Sequence, residues 1–225
     1  FWAAFFETPR PVEKKSSQSQ ITKDNENSIT PTIDSSINIK KISREDSILN
    51  SERVKIENDS IQGSLSLRGG LVDDISFKKH KKNLKDKKNV EFLNPAELEN
   101  GFYIEAGWTS VGNKIKVPTK ESLWKIGKNK SLNENQNINL QWDNGEGIIF
   151  KRSINLDNNY LFKITQEVQN NTNKEVELYP YAQITRNKVP DDIQNFYISH
   201  EGFIGVFDDE LKEDDYDDIK ENKIV

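Results

Sequence analysis

The chain has 225 residues, of which 31% are charged and only 33% are hydrophobic, and its formal net charge is −5. The absence of cysteine excludes disulfides and thiolate metal sites. The negative charge argues against a nucleic-acid-binding protein, because neutralising phosphates requires an excess of lysine and arginine. The low hydrophobic fraction indicates that part of the chain lies outside any folded core.

The first six residues, FWAAFF, form an apolar and aromatic stretch that stops at Glu7 and at the sequence Pro9-Arg10-Pro11. Aromatic side chains gather at the membrane interface, and a helix does not continue easily into Pro-X-Pro. We therefore interpret residues 1–6 as the end of a transmembrane helix; an apolar terminus without a membrane role is the alternative. The chain contains no methionine, so we expect the natural product to begin upstream of Phe1.

Residues 7–50 are mainly polar and charged, with isolated isoleucines and no aromatic side chain. Such a segment buries too little apolar surface to offset the entropy lost when its backbone is ordered. We predict that it is a flexible tether, which holds a folded domain away from the membrane anchor.

From residue 51 onward, apolar residues recur at every second position in short segments separated by turn-forming residues, which is typical of β-strands. The glycines Gly69 and Gly70 are interpreted as a turn or bulge rather than a phosphate-binding loop. Only residues 211–223 could form a helix, and they are acidic and poor in apolar side chains. The pattern predicts an all-β domain over residues 51–225, an antiparallel meander for which a single β-sandwich is the simplest architecture. The predicted strands cover residues 53–57, 61–67, 72–77, 90–93, 102–108, 138–142, 148–156, 160–168 and 176–182.

A basic cluster lies between the third and fourth predicted strands. We interpret it as a solvated loop, and contact with an anionic surface is the alternative. Its members are His80 and seven lysines, Lys78, Lys79, Lys81, Lys82, Lys85, Lys87 and Lys88.

The chain has two histidines, which limits the catalytic sites that it can build. His80 belongs to the basic cluster, and His200 stands beside Glu201. Adjacent residues of a strand face opposite sides of the sheet, so His200 and Glu201 are not expected to converge. We predict no catalytic residue.

An acidic run near the C-terminus raises the possibility of a calcium site. A calcium-binding loop of the EF-hand type needs a glycine at its centre and a terminal glutamate, and this run has no glycine. We interpret it as a solvated acidic loop, and we predict no metal-binding or cofactor-binding residue. The run comprises Asp208, Asp209, Glu210, Glu213, Asp214, Asp215, Asp217 and Asp218.

Large aromatic residues could line a ligand groove or fill the core. In a β-sandwich without disulfides we expect them mainly in the core. The residues concerned are Trp2, Trp108, Trp124, Trp142, Tyr179, Tyr181, Phe196 and Tyr197.

Five segments stand out as an ordered set: RVKIENDSIQGSLSLRGGLVDDISFKKH at 53–80, FLNPAELENGFYIEAGW at 92–108, LQWDNGEGIIFKRSINLDNNYLFKITQEVQNNT at 140–172, LYPYAQITR at 178–186 and FYISHEGFIGVFDDELKE at 196–213. Together they resemble the periplasmic domain of YidC-type membrane protein insertases, of the YidC/Oxa/Alb family, in its alphaproteobacterial form. The resemblance implies a β-super-sandwich similar to sugar-mutarotase folds, incomplete here at its C-terminus. It also implies an N-terminal membrane helix ending at residue 6, and a location at the bacterial inner membrane with the domain facing the periplasm.

The resemblance further implies a non-enzymatic accessory role in a machine that inserts and folds inner-membrane proteins, with or without the Sec translocon. The implied partners are nascent inner-membrane proteins and Sec translocon components; no cofactor and no nucleic acid are implied, and no partner-binding residue is identified. A carbohydrate-binding or mutarotase-like β-sandwich is the alternative from another functional class.

Overall fold

The computed structural model describes residue 39 and residues 41–85, 87–190 and 200–222. The predicted membrane-helix end at residues 1–6 and most of the predicted tether lie outside these residues. Within them the elements are α1 (Arg44–Leu49), β1 (Arg53–Glu57), β2 (Ile61–Ser66), β3 (Leu71–Lys81), β4 (Asn89–Leu93), β5 (Phe102–Ser110), a short 3-10 turn (Val111–Asn113), β6 (Lys125–Ile126), β7 (Ser131–Leu132), β8 (Ile138–Asp143), β9 (Ile148–Leu156), β10 (Phe162–Asn170), β11 (Leu178–Arg186), β12 (Gly202–Phe207), β13 (Glu210–Asp215) and α2 (Tyr216–Asn222).

The larger sheet has seven strands in the order β11-β5-β3-β2-β1-β7, and β4 also pairs with β3. All of its pairs are antiparallel except β1 with β7, which pair in parallel over two residues. The register of β2 against β3 shifts between Ser64 and Leu65. Because Ser64 pairs with Asp74 and Leu65 with Val72, Asp73 is the extra residue of a β-bulge.

The smaller sheet has four strands in the order β10-β9-β8-β6, all antiparallel. The β8–β9 and β9–β10 hairpins of this sheet close at turns that lie between strands predicted from the sequence. Asp143 Oδ1 accepts a hydrogen bond from the Gly145 amide at 2.8 Å, and Asp157 Oδ1 accepts from the amides of Asn159 and Leu161 at 2.8 and 2.9 Å. These side chains stabilise the turns in the way that aspartate commonly does.

The two sheets share one hydrophobic core, which confirms the predicted all-β sandwich. Phe150 in the smaller sheet is fully buried, and its ring lies 5.0 Å from that of Trp108 in the larger sheet. Trp124, on the loop before β6, is also buried and stacks 6.4 Å from Trp108. The prediction that the large aromatics occupy the core is therefore confirmed for Trp108 and Trp124.

Helix α1 lies within the segment predicted as a tether, and that prediction does not hold for its six residues. The Ser43 side chain caps the helix by accepting from the Asp46 amide at 3.0 Å. The buried Ser47 donates to Glu97 Oε1 at 2.7 Å, which docks the helix beside the larger sheet. Side-chain hydrogen bonds rather than an apolar face hold this helix in place. Its sequence therefore shows no hydrophobic period from which it could be predicted.

The acidic C-terminal segment forms a hairpin before it becomes helical. Residues 211–215, predicted as the start of a possible helix, belong to β13, and α2 begins only at Tyr216. The turn consists of Asp208 and Asp209 with φ of 50° and 66°, the backbone signs of a type I′ hairpin turn. Strand pairing from Gly202↔Asp215 to Phe207↔Glu210 overrides the weak strand preference of acidic residues.

Candidate functional site

The two histidines lie in different environments. His80 is exposed near the end of β3, where its ring meets Phe77 edge-on at 5.6 Å and its Nε2 lies 3.4 Å from Tyr160 Oη. The side chain of His200 is mostly buried, and its Nδ1 lies 3.1 Å from Asp215 Oδ1. Sequence reasoning missed this partner, because the pairing of β12 with β13 was not predicted.

The acidic run is divided between three structural roles. Asp208 and Asp209 form the hairpin turn, residues 210–215 lie in β13, and Asp217 and Asp218 lie in the first turn of α2. Within the described parts of the chain, no group of three or more metal-ligating side chains converges. The run is thus part of a separate two-stranded hairpin and the start of a helix, rather than the single loop expected from the sequence.

The remaining aromatic candidates are more exposed than the core tryptophans. Trp142 is half-buried against Phe150, at 5.8 Å between ring centroids, and Tyr179 is 40% exposed on β11. Trp2, Phe196 and Tyr197 lie outside the described residues. No described arrangement of aromatic side chains with His and Glu favours carbohydrate binding or sugar chemistry.

A buried ionic network occupies the outer face of the larger sheet. Arg53 pairs with Asp73 and donates from Nε to Ser64 Oγ at 2.7 Å, while Ser64 donates to Asp74 Oδ2 at 2.5 Å. Arg44 of α1 pairs with the same Asp74. Burial raises the pKa of Asp73 to about 6 although Arg53 opposes this, because a desolvated carboxylate favours its neutral form. The network fastens α1 to the sheet through charge pairs.

A single arginine is buried between the two sheets. Arg152 is 2% exposed and lies in the core-facing row of β9. Its guanidinium donates to the carbonyl oxygens of Gly70, at 2.7 Å, and Ala106, and it stacks 4.6 Å above the ring of Trp124. Burial lowers the pKa of Arg152 to about 10. Arg152 thereby links the residue that directly precedes β3 to the middle of β5.

The backbone around Arg152 is shaped to receive it. Gly70 has φ of +64°, and a Cβ there would lie 2.6 Å from Arg152 Nη1. Sequence reasoning identified Gly70 as a turn residue but overlooked Arg152, although strand alternation places it in the same row as Phe150 and Ile154.

Glu105 centres a second polar cluster, on the face of β5 opposite Trp108. Tyr181 Oη donates to Glu105 Oε1 at 2.7 Å, Gln183 donates to Oε2 at 3.3 Å, and Lys120 Nζ lies 3.7 Å from Oε2. Burial, followed by the nearby Glu105 carboxylate, raises the pKa of Tyr181. The cluster is held by complementary donors and acceptors, and it links β5 to β11.

The basic cluster, expected as a loop, lies partly on a strand. Strand β3 continues to Lys81 and pairs with β4 through Lys81↔Asn89, so the lysines occupy the distal half of a long hairpin. Lys78 donates to Glu57 at 3.2 Å and Lys81 donates to Asn89 at 2.5 Å. Hydrogen bonds from Lys55 and Lys78 lower the pKa of Glu57.

None of the helices in the described ranges is long and apolar enough to cross a membrane. The predicted membrane-helix end at residues 1–6 lies outside those ranges.

Comparison with known proteins gives a consistent family relationship. A sequence model described as the YidC periplasmic domain matches residues 53–225. The protein named "Membrane protein insertase YidC" of Pelagibacter ubique (strain HTCC1062) is 37% identical over 224 residues, which cover 100% of this chain and 40% of that protein. Proteins of the same name from Roseobacter denitrificans and Jannaschia sp. are 33% and 36% identical, covering 98% and 77% of this chain and 38% and 28% of their own lengths. The chain therefore spans less than half the length of these relatives.

Proposed function

The chain belongs to the YidC family, and on that premise we propose that it acts as the periplasmic accessory domain of an inner-membrane protein insertase. The observation that carries the proposal is the family match over residues 53–225, which include every strand of the sandwich. The relatives are named membrane protein insertases, and the proposed activity of the whole parent protein is to insert and fold inner-membrane proteins, with or without the Sec translocon.

The proposed domain boundaries are those inferred from the sequence, except that α1 is assigned to the folded domain. Residues 1–6 are proposed to end a membrane helix, and the polar residues after them to form a tether that reaches only to the start of α1. The buried contacts of Ser47 and the ion pair of Arg44 support placing α1 with the folded domain.

The proposed role is non-enzymatic. Three of the buried polar clusters in the described residues are held by pairing within the protein: Arg152 with backbone carbonyls, Asp73 with Arg53, and Glu105 with Tyr181. Such pairing supports a scaffold that presents surfaces to other proteins. The proposed partners are nascent inner-membrane proteins and components of the Sec translocon. No observation favours the carbohydrate alternative.

Photo-crosslinking in the native bacterium tests the partner proposal. A photoreactive amino acid would replace Tyr179 or Ile184, which are 40% and 52% exposed on the edge strand β11, in the full-length parent protein. We expect adducts with newly made inner-membrane proteins or translocon subunits. A matched probe at the buried Phe150 should give none. Absence of such adducts from every exposed position tested would contradict the proposal.

Protease accessibility tests the location separately. Protease added to spheroplasts should digest residues 53–225 of the parent protein without lysis of the inner membrane. Digestion that occurs only after lysis would place the domain on the cytoplasmic side and contradict the proposal.

A further inference from the structure

Positive charge is concentrated at the distal end of the β3–β4 hairpin. Residues 78–88 contain seven lysines and one acidic residue, Asp86, a net charge of +6, whereas the whole chain carries −5. The remaining residues therefore carry −11. Residues 114–130 form a second basic segment, with six lysines and one glutamate, but the hairpin carries the larger positive charge.

Four lysines near the tip are available to an external partner. Lys82, Lys85, Lys87 and Lys88 are exposed. Within the described residues, their ammonium groups have no hydrogen bond or ion pair, whereas Lys78 and Lys81 are engaged with Glu57 and Asn89. Leu84, between these lysines in the sequence, is fully exposed. The tip therefore presents one exposed apolar side chain close in sequence to exposed lysines.

Further exposed apolar side chains lie beside the base of the same hairpin. The ring of Phe77 on β3 stacks on Phe92 at 5.1 Å and meets Tyr160 edge-on at 5.5 Å. Phe92 and Tyr160 are 43% and 44% exposed, and the adjacent Leu161 is 68% exposed. The Asn58 side chain donates to the Asp157 carbonyl at 2.8 Å, which holds the β9–β10 turn against the β1–β2 turn at this end of the sandwich.

We propose that this basic end, defined as residues 78–85, 87 and 88 of the hairpin with Phe92, Tyr160 and Leu161, binds the surface of a bilayer that contains anionic phospholipids. Lysine ammonium groups are attracted to anionic headgroups, Leu84 enters the apolar layer below them, and the aromatic rings lie at the interface that such rings prefer. The remaining residues carry a net charge of −11, and their net repulsion by the same surface favours an orientation with the hairpin toward the membrane.

The composition of the tip favours a bilayer over a polyanionic macromolecule. All of its strongly basic residues are lysines, whereas arginine is the usual choice for bidentate recognition of phosphate groups in nucleic acids and phosphopeptides. The exposed leucine at the tip has no role in recognising a nucleic acid.

Vesicle co-flotation of the whole chain tests the inference. The inference rests on the proposed function only for the cellular location of the domain. The probes are vesicles of pure phosphatidylcholine and vesicles with one part phosphatidylglycerol to two parts phosphatidylcholine. We expect tighter binding to the mixed vesicles, weakened by salt. Replacing Lys82, Lys85 and Lys87 together by glutamine should lower that affinity about 100-fold, at roughly five-fold per lysine near an anionic surface.

A matched triple variant controls for net charge. Lys125, Lys128 and Lys130 are exposed lysines outside the hairpin, and their joint replacement by glutamine should leave vesicle affinity within about two-fold of the original protein, because their charges lie outside the proposed surface. Circular dichroism would verify that both triple variants are folded. Equal losses in the two triple variants, or no loss in the hairpin variant, would overturn the inference.

Two further arms test the apolar component and the identity of the partner. Leu84→Ser should weaken binding to both vesicle types about ten-fold while leaving the salt dependence unchanged. An unchanged affinity would overturn insertion of the tip.

Binding of a single-stranded oligonucleotide tests the identity of the partner. If the chain bound the oligonucleotide more tightly than mixed vesicles, and the hairpin variant lost this binding, the bilayer would be overturned as the partner. These outcomes leave the crosslinking result unaffected, so failure of this inference is distinguishable from failure of the proposed function.

Discussion

Arg152 is stabilised in an apolar row because its guanidinium donates hydrogen bonds to the carbonyl groups of Gly70 and Ala106. We predict that Arg152→Met, which keeps the length of the stem, lowers the free energy of unfolding by about 2–4 kcal/mol. The cause is that the buried carbonyls of Gly70 and Ala106 lose their donor, at roughly 1–3 kcal/mol each. Urea denaturation followed by circular dichroism measures the change.

Arg152→Lys is the matched comparison. A lysine keeps the charge but cannot reach two carbonyls with a planar fork or stack in the same way on Trp124. We expect a loss intermediate between the wild-type protein and Arg152→Met. A stability of Arg152→Met equal to that of the wild-type protein would show that relief of the buried charge outweighs the lost hydrogen bonds.

Arg152 and His200 show what can and cannot be inferred from the sequence about a single residue. Alternation along 148–156 implies that Arg152 faces inward, but this was overlooked. The partners of Arg152 could not be predicted, because Gly70 and Ala106 are distant from it in the sequence. The partner of His200 was missed for a related reason, since it depends on the register of a hairpin with acidic residues.

Asp73 gives a pH dependence with a defined sign. Its pKa is about 6 in the folded protein against 3.8 in the reference state, so the folded state binds the proton more tightly between these values. The free energy of unfolding therefore falls as pH rises through this window, by on the order of 2–3 kcal/mol from this group, and is constant above it. Below the window Asp73 is protonated in both states, so its favourable contribution is fully present.

Asp73→Asn isolates this contribution. The difference in unfolding free energy between wild-type protein and variant, measured by urea denaturation at several pH values, should decline from about pH 4 to about pH 6. Arg53 and Asp74 face Asp73 in both proteins; Arg53 loses its anionic partner in the variant, which adds an offset. A difference that does not vary with pH would contradict the raised pKa.

The β12–β13 hairpin illustrates how an element depends on its turn. Asp208 and Asp209 both adopt positive φ, which costs non-glycine residues free energy and which Asn-Gly adopts most readily. We predict that Asp208→Asn combined with Asp209→Gly stabilises the hairpin by about 1 kcal/mol. Slower hydrogen exchange of the β12 and β13 amides would measure it.

A β-branched substitution provides the opposite control. Asp209→Val places a branched side chain at φ of 66°, which should accelerate exchange throughout the hairpin. Similar exchange in Asp209→Val and in the Asn-Gly variant would mean that turn conformation does not limit the stability of this element.

Elements were predictable where they are long and periodic. The hairpin of β8 with β9, and the pairing of β9 with β10, follow from alternation and aspartate turns within 138–170. The two-residue strands β6 and β7 were not predicted, because each is defined only by its neighbour in the sheet. Helix α1 and β13 were missed because docking and pairing, rather than local preference, determine their conformation.

At the scale of the whole molecule, the resemblance and the alternation together predicted the sandwich but not its functional surface. Periodicity identifies which side chains point inward, and this is sufficient for a two-layer architecture. The position of the basic cluster relative to Phe92, Tyr160 and Leu161 depends on how β3, β4 and the β9–β10 turn come together in space. For that reason, the cluster could be interpreted from the sequence only as a loop or an anionic-surface contact.

The shared core predicts that both sheets unfold together. Phe150 is fully buried and contacts Trp108 across the sandwich, so Phe150→Ala removes packing from both layers, and we predict a loss of about 3–5 kcal/mol in the free energy of unfolding. Phe92→Ala, the same change at a side chain 43% exposed, should lose less than half as much.

Far-ultraviolet circular dichroism reports the strands of both sheets, and tryptophan fluorescence reports the core that contains Trp108. Because one core joins the layers, the two signals should give coincident denaturation curves in the wild-type protein and in Phe150→Ala; separate transitions would mean that the sheets are independent folding units.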